Sequence, residues 1–229
     1  LLANQAKFVV DRLRHTYTSE TGNPVPVIGD VNFSVKPFEF VAVVGPSGCG
    51  KSTLLNIMSG LLKPQSGSVN LDGHALNGIT PRIGYVSQSD SLLPWRTTLA
   101  NVELGMELRG VPKQERREKA MSLIRQADLS GFENAYPYQL SGGMRKRVDV
   151  IKILAMDPEI IFMDEPFASL DVFTREMLQT YILSLWQTTQ RTVVFITHDR
   201  TNAKPRPVPA TFLTQGPTRA KPHHATPFH

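Results

Sequence analysis

Three short segments carry residues whose types and spacing could do chemistry. The first is Gly45-Pro46-Ser47-Gly48-Cys49-Gly50-Lys51-Ser52, followed by Thr53, with the G-x-x-x-x-G-K-[ST] spacing of a phosphate-holding loop. Glycines so placed let successive backbone N–H groups turn inward without Cβ clashes and form a nest for an anion. A helix starting there adds its partial positive charge. Lys51 then supplies a mobile ammonium for β- and γ-phosphates, and the Ser52 hydroxyl is a ligand for Mg²⁺. Cys49 is expected to face the packing of the loop rather than to act in redox chemistry. The second segment is Asp164-Glu165, at the end of an apolar run. Asp164 would orient Mg²⁺ and Glu165 would polarise an attacking water as general base. The third is Ser141-Gly142-Gly143, a serine and two glycines at a predicted helix start, which makes a second anion-binding N-terminus. One nucleotide has no evident use for two such sites in one subunit. Two copies of the chain facing head to tail would use both, the loop of one holding the phosphates while Ser141 and Gly143 of the other close over them.

These segments need particular elements to hold them. Residues 40–44 form a short, mostly β-branched apolar run, as expected of a strand buried on both faces of a parallel sheet. The glycine-rich turn follows, then an apolar-periodic helix over 51–62. Similar runs recur at 160–163 and 192–196, with a helical stretch over 174–187 between them. That is βαβ organisation and predicts an α/β core, with Asp164 delivered at the C-terminal strand edge where such sheets place ligands. Apolar alternation near 8–10, 31–35 and 68–71 predicts further strands. Residues 113–129 and 142–156 follow helical periodicity, and the mixed-sign run 115–119 reads as a solvent face. The stretch from about 91 to 156 is therefore expected to be a helical insertion beside the sheet.

The order of these motifs resembles that of the ATP-binding subunits of ABC transporters, from about residue 7 to 198. Leu140-Ser141-Gly142-Gly143 is the family signature, here followed by Met144 where Gln is commoner. The resemblance implies a P-loop NTPase core of the RecA-like type with an inserted helical subdomain. One ABC ATPase domain would then be divided into a core (about 1–90 and 157–200), the helical subdomain (about 91–156) and an atypical tail (201–229). It further implies ATP and Mg²⁺ as ligands. Gln88 would sense Mg²⁺ and water, Tyr17 would stack on adenine, His198 would contact the γ-phosphate, and Ala168-Ser169-Leu170-Asp171 would be the D-loop. Asp171 has a plainer alternative as cap of the following helix. The segment Ser91-Leu92-Leu93-Pro94-Trp95-Arg96-Thr97, with 171–176 and 184–186, resembles the nitrate/sulfonate/taurine importer branch. There, membrane permease subunits dock on the helical insertion, and a solute-binding protein takes part indirectly. The expected place is the cytoplasmic face of the cell membrane. The Leu-Leu-Pro-Trp segment suits such docking as well as core packing.

The chain departs from the family at Asp149 and Ile151, where Ala is usual, and after Asp199. A buried, unpaired Asp149 would cost several kcal/mol, so a partner is expected, with Lys152 three residues on. A nucleotide-binding subunit with weak or no hydrolysis is therefore the alternative to an active ATPase. Composition narrows the field further. Of 229 residues, 41% are hydrophobic and 20% charged, which suits a globular domain. With one Cys, no internal disulfide can form, and no apolar run approaches a membrane span, so the sequence reads as soluble and intracellular. The net charge of +5 is accounted for by Arg200, Lys204, Arg206, Arg219 and Lys221 in an acid-free tail. The remainder is balanced, which argues against nucleic acid as partner. Soluble ABC ATPases of DNA repair or translation would need long coiled-coil insertions or two cassettes, and neither is present. Six prolines after residue 204 predict a loop-like tail, with at most a short piece near 212–213 packed down.

Overall fold

A computed structural model describes residues 6–168 and 170–198, with the backbone of 210–213 and 220–221. The chain opens with β1 (Phe8–Thr18) and β2 (Pro24–Val35), an antiparallel pair. Then come β3 (Phe40–Val44), α1 (Lys51–Met58), β4 (Ser66–Leu71), β5 (His74–Ala75) and β6 (Ile83–Val86). The helical stretch holds α2 (Thr98–Leu108), α3 (Lys113–Gln126), a 3₁₀ turn (Pro137–Gln139) and α4 (Gly142–Leu154). The chain returns with β7 (Ile160–Asp164), α5 (Val172–Thr189), β8 (Thr192–Thr197), β9 (Ala210–Leu213) and β10 (Ala220–Lys221).

Two sheets result. One is antiparallel with order β2-β1-β4-β5, and the other has order β10-β9-β3-β8-β7-β6, parallel from β9 to β6. The parallel strands read as continuous apolar runs because both faces are covered. Val41 and Val43 of β3, Ile160 and Phe162 of β7 and Val194 and Ile196 of β8 pack toward the antiparallel sheet and α1. Their neighbours Phe40, Ala42, Val44, Ile161, Met163, Val193 and Phe195 pack toward α2–α5. Phe8 meets Phe162 edge-on at 5.4 Å, joining the two sheets, a geometry worth roughly 1 kcal/mol beyond burial.

The βαβ expectation holds, since β7, α5 and β8 are consecutive and the two strands pair in parallel. The helix expected over 51–62 stops at Met58. Gly60 takes φ +80°, Gly60 N–H bonds Ile57 O and Leu62 N–H bonds Asn56 O, a left-handed turn that closes the helix. A side chain at Gly60 could not follow, because a Cβ there would lie 2.1 Å from Gly78 O. Helix α2 falls within the helical stretch expected over about 91–156, although its own residues show no helical period; Thr97 caps it by accepting from Ala100 N. Most of the proline-rich tail lies outside the described residues. Its proline-free piece 210–213 does form a strand, beside β3.

Candidate functional site

The register of the parallel strands makes the site. Val44 pairs with Thr197 and Asp164 with Ile196, so the ends of β3, β7 and β8 lie side by side. The glycine loop, Glu165 and His198 therefore emerge at one sheet edge, where ligands collect in open α/β sheets. Gly45 N–H is tied to Thr197 O at 3.2 Å. Gly48 and Gly50 adopt φ +76° and +92°, a region that favours glycine. At Gly50 a Cβ would also lie 2.7 Å from Val27 Cγ1 and 2.9 Å from Val27 O, so β2 closes the loop from behind.

Helix α1 begins at Lys51, and its first-turn N–H groups have no acidic side chain to meet them. Buried Lys51 donates to Pro46 O at 2.9 Å and lies 3.5 Å from Glu165 Oε1. Ser52 Oγ donates to Asp164 Oδ1 at 3.2 Å, and Tyr85 Oη lies 3.3 Å from Asp164 Oδ2. Burial pushes the Asp164 carboxyl up; hydrogen bonds from Ser52 and Tyr85 oppose it, the neighbouring charge of Glu165 adds to it, and Lys51 opposes it. Burial first, then the charge of and hydrogen bond to Asp164, push the Tyr85 phenol up as well. Glu165 is non-glycine with φ +43°, a strained conformation of the kind that clusters at working sites. Its Oε2 lies 2.8 Å from Nδ1 of half-exposed His198. Loop, acids and histidine thus form one connected cluster.

The donor set suits a magnesium nucleotide. Ser52 and Asp164 are hard oxygen donors poised together, and Mg²⁺ takes few protein ligands beside phosphate oxygens and water. Among the described residues, no group of three or more His, Cys, Asp or Glu side chains is arranged to hold a metal by itself. Thr53 follows Ser52, half-buried, and Cys49 is half-buried in the loop.

The remaining expected residues stand apart from this cluster. Tyr17 is exposed near the end of β1 and packs edge-on against His15 at 4.8 Å. It lies on the strand pair whose Val27 backs the loop. Gln88 is exposed just after β6, the strand paired with β7. Ser141 caps α4, its Oγ accepting from Met144 N at 3.2 Å, and Gly142 beside it is exposed. Gly143 is buried, and a Cβ there would meet Thr174 Cγ2 at 2.3 Å. So Gly143 lets α4 approach the start of α5, a packing role that the motif alone did not disclose. Asp171 caps α5 by accepting from Thr174 N at 3.0 Å, in line with the plainer alternative. Ser169 lies outside the described residues. In the segment after Gln88, Leu92 is buried, as the packing alternative requires, while Trp95 is 71% exposed. Buried Asn101 holds that loop through bonds to Leu93, Arg96 and Thr97, a support that sequence reasoning missed because a polar residue in a helix gives no periodic signal. Tyr85 was missed for a similar reason, since its ring reads as an ordinary strand aromatic.

Residues 28–168 match the ABC transporter family. An uncharacterized ABC transporter ATP-binding protein of Methanocaldococcus jannaschii is 49% identical over 200 residues, covering 87% of this chain and 75% of that protein. The taurine import ATP-binding protein TauB of Escherichia coli O157:H7 is 41% identical over 208 residues, covering 91% of this chain and 81% of its own length. Among solved structures, a dimeric ATP-binding cassette in a post-hydrolysis state, bound to ADP and Pi, superposes with TM-score 0.80 at 32% identity. The match covers 96% of this chain and all of that one.

Proposed function

The chain belongs to the ABC transporter family as one of its ATP-binding subunits, and from that premise we propose that it hydrolyses ATP to energise uptake of a small anion such as nitrate, a sulfonate or taurine. Glu165 carries the reading. Its carboxylate, carried on strained backbone, is held between the Lys51 ammonium and His198, beside the glycine loop. The loop N–H groups and Lys51 bind the phosphates, and Tyr17 stacks on the adenine. Glu165 takes a proton from the attacking water, and His198 orients Glu165 and meets the γ-phosphate. Ser52, Asp164 and Gln88 would hold Mg²⁺, which supplies charge for the β- and γ-oxygens. Ser141, Gly142 and Gly143 of a second copy close the site from the other side, so that ATP is bound more tightly by the closed pair than by the open one. That difference in affinity is the work available to a partner.

The TauB-type relatives support the solute class and importer direction. Exposed Trp95, on a loop braced by Asn101, is the anchor we assign to a membrane permease. A solute-binding protein would act through that permease. No helix among the described residues is long and apolar enough to cross a membrane. A place at the cytoplasmic face of the membrane, held there by the permease, belongs to the same proposal.

Glu165→Gln, mixed with millimolar ATP and Mg²⁺, should accumulate as a nucleotide-loaded dimer on size-exclusion chromatography with light scattering. A variant that stays monomeric while the wild-type chain hydrolyses ATP would overturn the mechanism.

A further inference from the structure

Helix α4 does more than present Ser141. Arg145, Lys146, Asp149 and Lys152 follow i, i+1, i+4, i+7 spacing, and all four reach the 87–91 segment that contains Gln88. Lys146 Nζ donates to the carbonyl oxygens of Ser87 at 2.5 Å and Gln88 at 3.0 Å. Fully buried Asp149 accepts at Oδ1 from Ser91 Oγ at 2.7 Å and Ser91 N at 3.3 Å. Lys152 Nζ donates to Ser91 O at 2.6 Å and Ser91 Oγ at 2.9 Å, and Arg145 Nε donates to Asp90 Oδ2 at 3.0 Å. Each lysine lies 3.9 Å from the Asp149 carboxylate. Ser91, rather than Lys152, thus provides the direct hydrogen bonds to Asp149, and the expected lysine partner bonds the same serine.

Burying Lys146 and Asp149 on one helix, with Lys152 half-buried beside them, is costly where an apolar face would pack without that cost. Burial indeed pulls the Lys146 and Lys152 ammonium groups down, against the pull of Asp149. The bonds go chiefly to backbone groups of the loop, so what they fix is the path of the chain through Gln88. At 1.5 Å per residue, Lys146 stands about 7 Å along the helix from Ser141. We propose that Lys146, its charge balanced by Asp149 at 3.9 Å, is a positioning residue: it clamps the Gln88 segment to the signature helix, so that Gln88 and the Ser141 turn move as one body relative to the phosphate loop. The inference rests on the proposed role of Gln88 and deepens it.

Three variants of the full chain test this. Lys146→Met with Asp149→Ala removes both charges and the clamp. Lys146→Gln with Asp149→Ala keeps an N–H donor for the two carbonyls. Gln88→Ala removes the side chain being positioned. With the clamp lost, kcat should fall about ten-fold, equivalent to about 1.4 kcal/mol at the transition state, with KM for ATP within about two-fold. The Gln variant should restore most of kcat at the same melting temperature as the Met variant, and amide exchange at 87–91 should rise only in the latter. Equal kcat in the two double variants, with Gln88→Ala impaired, would overturn the clamp. If Gln88→Ala hydrolyses ATP normally, the role of Gln88 fails instead. The clamp is then judged by exchange alone: unchanged protection at 87–91 in the Met variant overturns it, and increased exchange upholds it.

Discussion

Strand β7 has charge at both of its ends, and the two ends are built to opposite rules. Glu159, just before it, sits in a closed ring with Arg82, Asp72 and Lys7. Arg82 forks onto Glu159 at 2.6 and 2.7 Å and also bonds Asp72, while Lys7 bonds Asp72 at 2.8 Å and Glu159 at 2.5 Å. The four residues flank β1, β4, β6 and β7, so the ring rivets the antiparallel sheet to the parallel one. At the other end, Asp164 and Glu165 are adjacent acids, one with its carboxyl pushed up by burial, the other on strained backbone. The ring neutralises its own charge. The site leaves its acids and its lysine arranged for something that arrives. One strand therefore carries a stabilising end and an end where stability gives way to function.

The sharpest way to break this contrast is Glu165→Gly. Loss of the general base should lower ATP hydrolysis by a factor on the order of 10²–10⁴. Glycine tolerates φ +43°, and relief of that strain, about 1 kcal/mol, offsets the lost contacts to Lys51 and His198, so the melting temperature should stay within a few degrees of the wild type. A variant that is both inactive and clearly less stable would show that Glu165 is a structural residue after all.

Arg82→Ala should do the reverse. It leaves two carboxylates sharing Lys7 and should lower the melting temperature by about 2–4 °C, the equivalent of about 1 kcal/mol in a chain of this size once solvent screening of these half-exposed groups is allowed for. Activity per folded molecule should stay within about two-fold, as expected when no transition-state contact is lost. A ten-fold fall in kcat without a fall in stability would mean that the ring reaches the site.

The functional end was the more legible in sequence. Gly45–Ser52, Asp164 and Glu165 stand in fixed local spacing, because backbone geometry around a phosphate demands glycine and a strand end demands a particular register. The ring was invisible: Lys7, Asp72, Arg82 and Glu159 are scattered along the chain and meet only through the pairing of four strands. The bounds of helix α2 escaped for a related reason. Its buried face includes Thr98 and Asn101, which interrupt the apolar period while bonding to neighbouring loops. Asp149 was legible as an anomaly but not as a solution, since Ser91 lies far from it in sequence and adjacent in space. Local chemistry was readable; contacts between distant segments were not.

The smallest expected effect distinguishes the two ends by the sign of their pH dependence. The Glu159 carboxyl is held down to about 2 by the Arg82 hydrogen bonds, despite partial burial and with help from Lys7. Asp72 is also lowered, since bonds from Lys7 and Arg82 outweigh its burial. Carboxylates depressed on folding add stability that is complete above their unfolded values near 4 and is lost as pH falls toward the folded ones. Asp164 is raised, so its ionisation opposes folding: below its unfolded value that penalty is absent, and it grows as pH rises through the folded value. The difference in melting temperature between wild type and Glu159→Gln should therefore be constant from pH 7 to about 5 and shrink between about 4.5 and 2. Asp164→Asn should instead gain stability at neutral pH, by about 1 kcal/mol or less, and lose that advantage on acidification. Parallel pH profiles for the two variants would mean that both ends of β7 are built alike.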